Sequence, residues 1–176
     1  MHIRIATNLD RDAIHDVHLT AFAREERGIV SRLAANLLAE ETTPPTISLV
    51  ADVDGVIAGH VAFSPVTIDG NEKFHGYILA PLGIKPDYQQ RGIGSKLVEH
   101  GIQQLSAVKA DMLFVYGDPA YYNKFGFSAG AAENYSPPYK LQYPFGWQGL
   151  ALNASNTEKS PVRIACVTSL CDPALW

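Results

Sequence analysis

The sequence predicts a single α/β domain, and three observations carry that prediction. Segments in which every second residue is apolar alternate with segments whose apolar residues fall three and four apart, so strands and helices interleave along the chain. Two apolar runs, residues 47–51 and 56–64, meet at Asp54-Gly55, the dipeptide of a two-residue hairpin. Farther on, Gly92 and Gly94 stand where an extended run gives way to an amphipathic helix. With 176 residues, 47% of them hydrophobic and 18% charged, the chain can bury one core and is not a disordered polymer.

Taken in order, residues 3–6 form a short strand. Asn8 or Asp10 caps the next helix, whose core face is Ile14, Val17, Ala21 and Phe22. A charged link over 24–28 leads to a second helix over 28–40, with Ile29, Leu33 and Leu37 on one face, and Pro44-Pro45 stops it. The hairpin strands follow, then a turn at Asp69-Gly70-Asn71 and a longer strand over 74–84. The main helix spans 92–107 and buries Ile93, Leu97, Gly101 and Leu105 at four-residue steps. Residues 112–116 are apolar without a break, as suits a central strand covered on both faces. The stretch 136–147, SPPYKLQYPFGW, is rich in proline and aromatics and predicts an ordered irregular loop. Residues 147–152 and 162–168 predict closing strands, with a polar turn over 153–160.

Charge and cysteine usage narrow the function. A net charge of −4 with no cluster of Lys or Arg argues against a nucleic-acid partner. No basic start precedes an apolar run, and no apolar stretch approaches the roughly 20 residues of a membrane-spanning helix, so the expected location is the cytoplasm, with no membrane partner. Cys166 and Cys171 are the only cysteines; a disulfide framework is not expected, and with no paired His at ligand spacing neither is a metal.

The segment QQRGIGSKLV, residues 89–98, is the most informative. Without a Cβ at Gly92 and Gly94 the loop can turn successive N–H groups onto an anion, and the helix beginning there adds its unpaired first-turn donors and the positive end of its dipole. A Walker loop is excluded, because GIGSK places serine before lysine and no glycine stands at the required earlier position. A dinucleotide fingerprint is excluded because Leu97 occupies the third glycine's place and no βαβ repeat surrounds the loop.

What remains, Gln89-x-x-Gly92-x-Gly94 between a strand and a helix, resembles the pyrophosphate-binding motif of the GNAT superfamily of acyl-CoA-dependent N-acyltransferases. Residues 117–127, GDPAYYNKFGF, resemble its second signature, a tyrosine shortly before Gly-Phe, and residues 50–66 resemble its central hairpin. The likeness covers about residues 3–152, in the family's order, and is nearest to the YhbS-like subgroup. It implies a mixed, mostly antiparallel sheet flanked by helices, with residues 1–152 as the domain and 153–176 as a C-terminal extension packed on it. It also implies an enzyme that takes acetyl-CoA as donor and acetylates a primary amine of a small molecule or peptide by direct transfer. The alternative is a non-catalytic acetyl-CoA-binding sensor. Dimerisation through the C-terminal strands fits the resemblance as well.

The resemblance assigns residues by role. Backbone amides of Leu82, Gly83 and Ile84 are expected to bind the pantetheine arm or polarise the thioester carbonyl. Residues Gln89, Gln90, Arg91, Gly92, Ile93, Gly94 and Ser95 are expected at the pyrophosphate, Arg91 adding charge and Ser95 a hydroxyl. Tyr122 is the candidate general acid, with Tyr121 beside it leaving the register open, and Asn123 is a further cofactor contact that many relatives place several residues earlier. The general base is open among His75, expected on the longer strand, His60, and water. Acceptor-side candidates are Arg24, Glu25, Glu26, Tyr139, Tyr143 and Trp147; the acids serve equally as solvated surface, and the aromatics equally as cover for the open end of the sheet.

Overall fold

The computed structural model describes the whole chain, Met1–Trp176. Its elements run β1 (His2–Ile5), α1 (Arg11–Ala21), α2 (Arg27–Ala39), β2 (Ile47–Val53), β3 (Val56–Ile68), β4 (Gly76–Ile84), α3 (Ile93–Ala107), β5 (Met112–Tyr116), α4 (Pro119–Tyr122), β6 (Tyr135–Ser136), β7 (Trp147–Ala151) and β8 (Val162–Cys166), linked by short 3-10 turns. The β1–β2, β2–β3, β3–β8 and β5–β7 ladders are antiparallel, and β4–β5 and β6–β8 are parallel, which makes the fold mixed α/β on a mostly antiparallel sheet. No helix is long and apolar enough to cross a membrane.

The chain forms two compact units, residues 1–63 with 80–103 and residues 64–79 with 104–176. In the first, β2 and β3 make the expected hairpin. Asp54 (φ 53°) and Gly55 (φ 83°) are both left-handed, the backbone of a turn whose twist matches the strands it joins. Ile14 and Val17 of α1 and Leu33, Ala34 and Leu37 of α2 are buried, so both helices turn their apolar stripes inward as the spacing predicts. On α3, Ile93, Leu97 and Gly101 are buried, and the Phe63 ring of β3 fills the place a Cβ of Gly101 would take.

The entry to α1 differs from expectation. Neither Asn8 nor Asp10 caps the helix with its side chain. Asp10 instead accepts from Arg4 Nη2 at 2.7 Å and Nη1 at 2.8 Å, and from the Thr7 N–H at 2.8 Å. Its carboxylate is nearly buried, and a buried carboxylate is better compensated by a forked guanidinium than by one backbone amide. Asp10 therefore pins β1 to the start of α1.

In the second unit β5 is buried from Met112 to Val115, as its unbroken apolar run predicts, and lies between β4, in register from Gly76–Met112 to Leu79–Val115, and β7. The core here is aromatic. Phe114 stacks on Trp147 with centroids 5.4 Å apart and an interplanar angle of 3°, and the Trp147 indole N–H donates to the Tyr135 carbonyl at 2.7 Å. Buried Asp111 gathers three chain segments: its carboxylate accepts from the His75 N–H and from the side-chain amides of Asn153 and Asn156. Residues 153–160, read as a simple polar turn, are thus fastened to the foot of β5, and the 136–147 stretch is irregular apart from a 3-10 turn at Pro144–Gly146.

Candidate active site

The loop before α3 has the backbone an anion site needs. Pro86–Tyr88 form a 3-10 turn, after which Gln90 (φ 60°) and Gly92 (φ 76°) are both left-handed, flanking Arg91. Alternation of this kind turns successive N–H groups toward one side of the chain. A Cβ on Gly92 would meet no protein atom within 4 Å, so glycine is required there by its φ and leaves open space over the loop. Lys96 N–H donates to the Gly92 carbonyl and closes the first helical turn, while the N–H groups of Ile93 and Gly94 fall in the turn where a helix has no carbonyl to offer them. Arg91 lies over the Tyr88 ring, its Cζ 5.3 Å from the centroid, which holds a cation beside the loop. Ser95 is half-buried in the first turn of α3. Gln89 is a brace: its N–H donates to the Pro86 carbonyl and its Nε2 to the Ile84 carbonyl at 3.0 Å, which fixes the loop to the end of β4.

That end of β4 carries Leu82, Gly83 and Ile84, three to five residues beyond the last rung of the β4–β5 ladder at Leu79. Lys85 ties it down through its N–H to the Ala58 carbonyl and through its ammonium to Asp16 of α1 at 2.6 Å. Gly83 faces a ring the sequence did not single out: a Cβ there would stand 2.6 Å from His18 Nδ1. His18 Nε2 lies 2.8 Å from His60 Nδ1, and His60 Nε2 lies 2.8 Å from Ser48 Oγ. Both rings are fully buried. Burial, with a smaller contribution from His15, lowers the His18 pKa to about 3, and burial lowers His60 well below the usual imidazole range. Spacing could not have revealed this set, because Ser48, His60 and His18 come from β2, β3 and α1.

In the second unit the two adjacent tyrosines have different surroundings. Asp118 caps α4 by accepting from the Ala120 N–H, and the Tyr122 ring packs where a Cβ on Gly117 would fall, 2.5 Å from Tyr122 Cε2, and edge-on against Phe127. Tyr121 turns to Lys124, whose ammonium sits 4.1 Å from its ring centroid. Burial foremost, and Tyr121 second, raise the Tyr122 pKa, so the phenol holds its proton at neutral pH. Asn123 ends this helix exposed, its carbonyl accepting from the Gly126 N–H.

The remaining candidates separate. His75 is not on the strand: β4 begins at Gly76, and the side chain of His75 is exposed while its N–H and carbonyl bond to Asp111. Trp147 is 8% exposed and packs in the aromatic core, with one edge lining the cleft described next. Tyr139 is half-buried and lines an open cleft of about 730 Å³ with Lys140 and Pro144, whereas Tyr143 is exposed. Arg24, Glu25 and Glu26 are exposed in the link between α1 and α2, and the Glu26 carbonyl starts α2 by accepting from Ile29 and Val30.

Known proteins resemble this chain both in sequence and in fold. The family model of the acetyltransferase (GNAT) family matches residues 11–127. The uncharacterized N-acetyltransferase YjhQ of Escherichia coli K12 is 33% identical over 139 residues, covering 78% of this chain and 75% of that protein. A GNAT family acetyltransferase from Brucella melitensis, solved in complex with acetyl-CoA, superposes with a TM-score of 0.73 at 30% identity over 96% of both chains. The fold is also that of Escherichia coli YhbS, solved in complex with CoA, with a TM-score of 0.82 at 24% identity over 96% of this chain and 90% of that one. A matched span that starts with α1 and ends at Phe127 takes in the glycine loop and the tyrosine signature alike, and the chain belongs to the GNAT family of N-acetyltransferases.

Proposed function

We propose that this chain transfers the acetyl group of acetyl-CoA to a primary amine of a small molecule or peptide, by direct attack of the amine on the thioester. The observation that carries this is the loop over 89–95: two left-handed residues, an open face over Gly92 and the N-terminus of a fifteen-residue helix form a backbone anion site suited to a pyrophosphate. The Brucella melitensis relative solved with acetyl-CoA supports the choice of donor.

In this scheme the amides of Gln90, Arg91, Gly92, Ile93, Gly94 and Ser95 meet the pyrophosphate, with the Arg91 guanidinium beside them, and Gln89 sets the loop's entry. Amides of Leu82, Gly83 and Ile84 pair with the pantetheine arm and stabilise the oxyanion. Tyr122 donates the proton that the thiolate leaving group takes up; burial, with Tyr121 second, raises its pKa, so the phenol is protonated at rest and releases its proton only against the full charge on sulfur. Asn123 is a cofactor contact, and Glu25, Glu26 and Tyr139 face the acceptor. A covalent route through Cys166 is disfavoured: burial, aided by Cys171, pushes its thiol up to about 12, so it stays protonated and weakly nucleophilic.

Calorimetric titration with acetyl-CoA, CoA and NADH tests the loop; saturable binding of the first two and none of NADH is expected. Release of free thiol from acetyl-CoA on addition of primary amines then separates an enzyme from a non-catalytic acetyl-CoA sensor. A folded protein that binds no acetyl-CoA overturns both.

A further inference from the structure

Ser48 of β2, His60 of β3 and His18 of α1 form a buried hydrogen-bonded chain that the scheme above leaves unused. It ends at His18 Nδ1, which is shut off from solvent and has no hydrogen-bond partner. A buried ring nitrogen left unpaired costs stability, and a catalytic use is one reason such a group is kept. The nitrogen faces Gly83, where only a residue without a side chain leaves room for the ring. Gly83 is one of the three β4 residues assigned to the thioester.

We propose that these three residues are a proton relay, in which His18 Nδ1 accepts the proton that the acceptor amine loses on bonding to the thioester carbon; the inference rests on the acetyltransferase reading above. With both rings neutral, His18 Nε2–H donates to His60 Nδ1, His60 Nε2–H donates to Ser48 Oγ, and His18 Nδ1 keeps a lone pair. The amine nitrogen becomes cationic and acidic as its N–C bond forms. Its proton passes to His18 Nδ1 while the proton on His18 Nε2 moves to His60 Nδ1. Positive charge then rests on His60, whose two N–H groups donate to His18 Nε2 and Ser48 Oγ. The C–S bond breaks with its electron pair on sulfur, and sulfur takes the Tyr122 proton. Once the product has left, the proton on His60 Nδ1 returns to His18 Nε2 as His18 Nδ1 gives up the proton it took, and reprotonation of Tyr122 through solvent restores the starting state.

Burial keeps both rings neutral at rest and, with His18 second, opposes the charge that passes to His60, so that charge is short-lived. The Asp10 carboxylate, held by Arg4, offsets part of this by favouring a proton on His60, while His15 opposes one on His18 and Asp16 is paired with Lys85. Phe22, half-buried with its centroid 5.8 Å from that of His18, begins the exposed link to α2, and the relay assigns the entry of the amine to this side of α1.

The relay is tested by imidazole nitrogen NMR of the histidine-labelled protein, free and saturated with acetyl-CoA, with signals assigned through His18→Gln and His60→Gln. The expected spectrum has His18 neutral, protonated at Nε2 and bare at Nδ1. A proton on Nδ1 in both states overturns the relay, since its open end would then be a donor; this arm needs neither an acceptor nor an active variant. In the kinetic arm, with methylamine and a lysine-containing peptide as acceptors, His18→Gln is expected to lower kcat about 10²-fold and leave acetyl-CoA affinity within about twofold, and the milder Ser48→Ala to lower kcat several-fold. A His18→Gln protein that binds acetyl-CoA and acetylates either probe as fast as the parent also overturns it. Failure of the folded parent to bind acetyl-CoA would instead sink the acetyltransferase reading and the relay with it, whereas binding together with a contrary NMR or kinetic result sinks the relay alone.

Discussion

The loop over 89–95 and the Ser48–His60–His18 chain are two polar devices in the same compact unit, built in opposite ways. The loop is seven consecutive residues, mostly exposed, whose working groups are backbone amides, and its shape is set by two φ angles. The chain is three side chains from three elements, none exposed, joined by two hydrogen bonds. A device of the first kind is written in local sequence and is nearly independent of the core. One of the second kind exists only once α1, β2 and β3 have packed, and is part of the core's stability. Substitutions in the two should therefore separate ligand binding from folding.

The largest effect is expected in the loop. Replacing Gly92 and Gly94 together by valine puts a branched side chain at φ 76° and fills the open face, so acetyl-CoA binding should fall by about 10²-fold or more, on the order of 3 kcal/mol of lost amide–phosphate bonding. Thermal stability should fall only by the left-handed strain, about 1–2 kcal/mol. Calorimetry beside a melting curve checks both; a double variant that melts like the parent and still binds would dissociate the loop from the cofactor.

Next comes Tyr122→Phe, with acetyl-CoA affinity nearly unchanged and kcat lowered about 10²-fold, more with poorer leaving thiols. Parental turnover across a series of acyl thioesters would remove the phenol from the reaction.

These two predictions follow the part of the molecule that local sequence makes legible. The hairpin at Asp54-Gly55, the span of β5 and the four-residue stripe on α3 were readable because each depends on neighbours within a few residues. Asp10 was misread because its partner Arg4 lies on the preceding strand, and a capping rule sees only the helix. His75 was placed on a strand because its neighbours alternate, but Asp111, 36 residues away, claims its backbone and starts the strand one residue later. Trp147 is open in the sequence between an acceptor wall and cover for the sheet, and its stacking on Phe114, 33 residues away, is a contact no local pattern shows. The histidine chain left no local trace: His18 and His60 are 42 residues apart.

Acid stability sharpens the contrast between near and distant partners. Arg4, first among the causes, holds the Asp10 carboxyl far below its ordinary range. A carboxylate lowered in the folded state stabilises the protein above its unfolded pKa, near 4, and that contribution is lost as pH falls further. A histidine lowered by burial acts in a higher window. Below its unfolded pKa near 6.5 the unfolded chain binds the proton and the folded one does not until about 3, so stability falls as pH drops across that interval. Denaturant titrations at stepped pH should show both slopes in the parent. Asp10→Ala should cost about 2–3 kcal/mol at neutral pH, flatten the lower slope and leave the upper one. His18→Gln should reduce the upper slope, leaving the part His60 contributes, and spare the lower one. A parent whose stability is constant between pH 6.5 and 4.5 would mean the rings are not held neutral by burial.

The smallest effect is expected at His75, and it tests the comparison from outside both devices. Its contribution to the fold is made by the N–H and carbonyl that bond Asp111, groups every residue but proline supplies, while its imidazole is exposed. His75→Ala should leave stability within about 0.5 kcal/mol, acetyl-CoA affinity unchanged and the pH profile of kcat unmoved. Asp111→Ala, which keeps the same exposed imidazole but strips the acceptor from three donors, should destabilise by several times as much, about 2–3 kcal/mol. Loss of the ascending, acidic limb of the rate profile in His75→Ala, with stability intact, would move the search for the base from the buried histidine chain to the foot of β4.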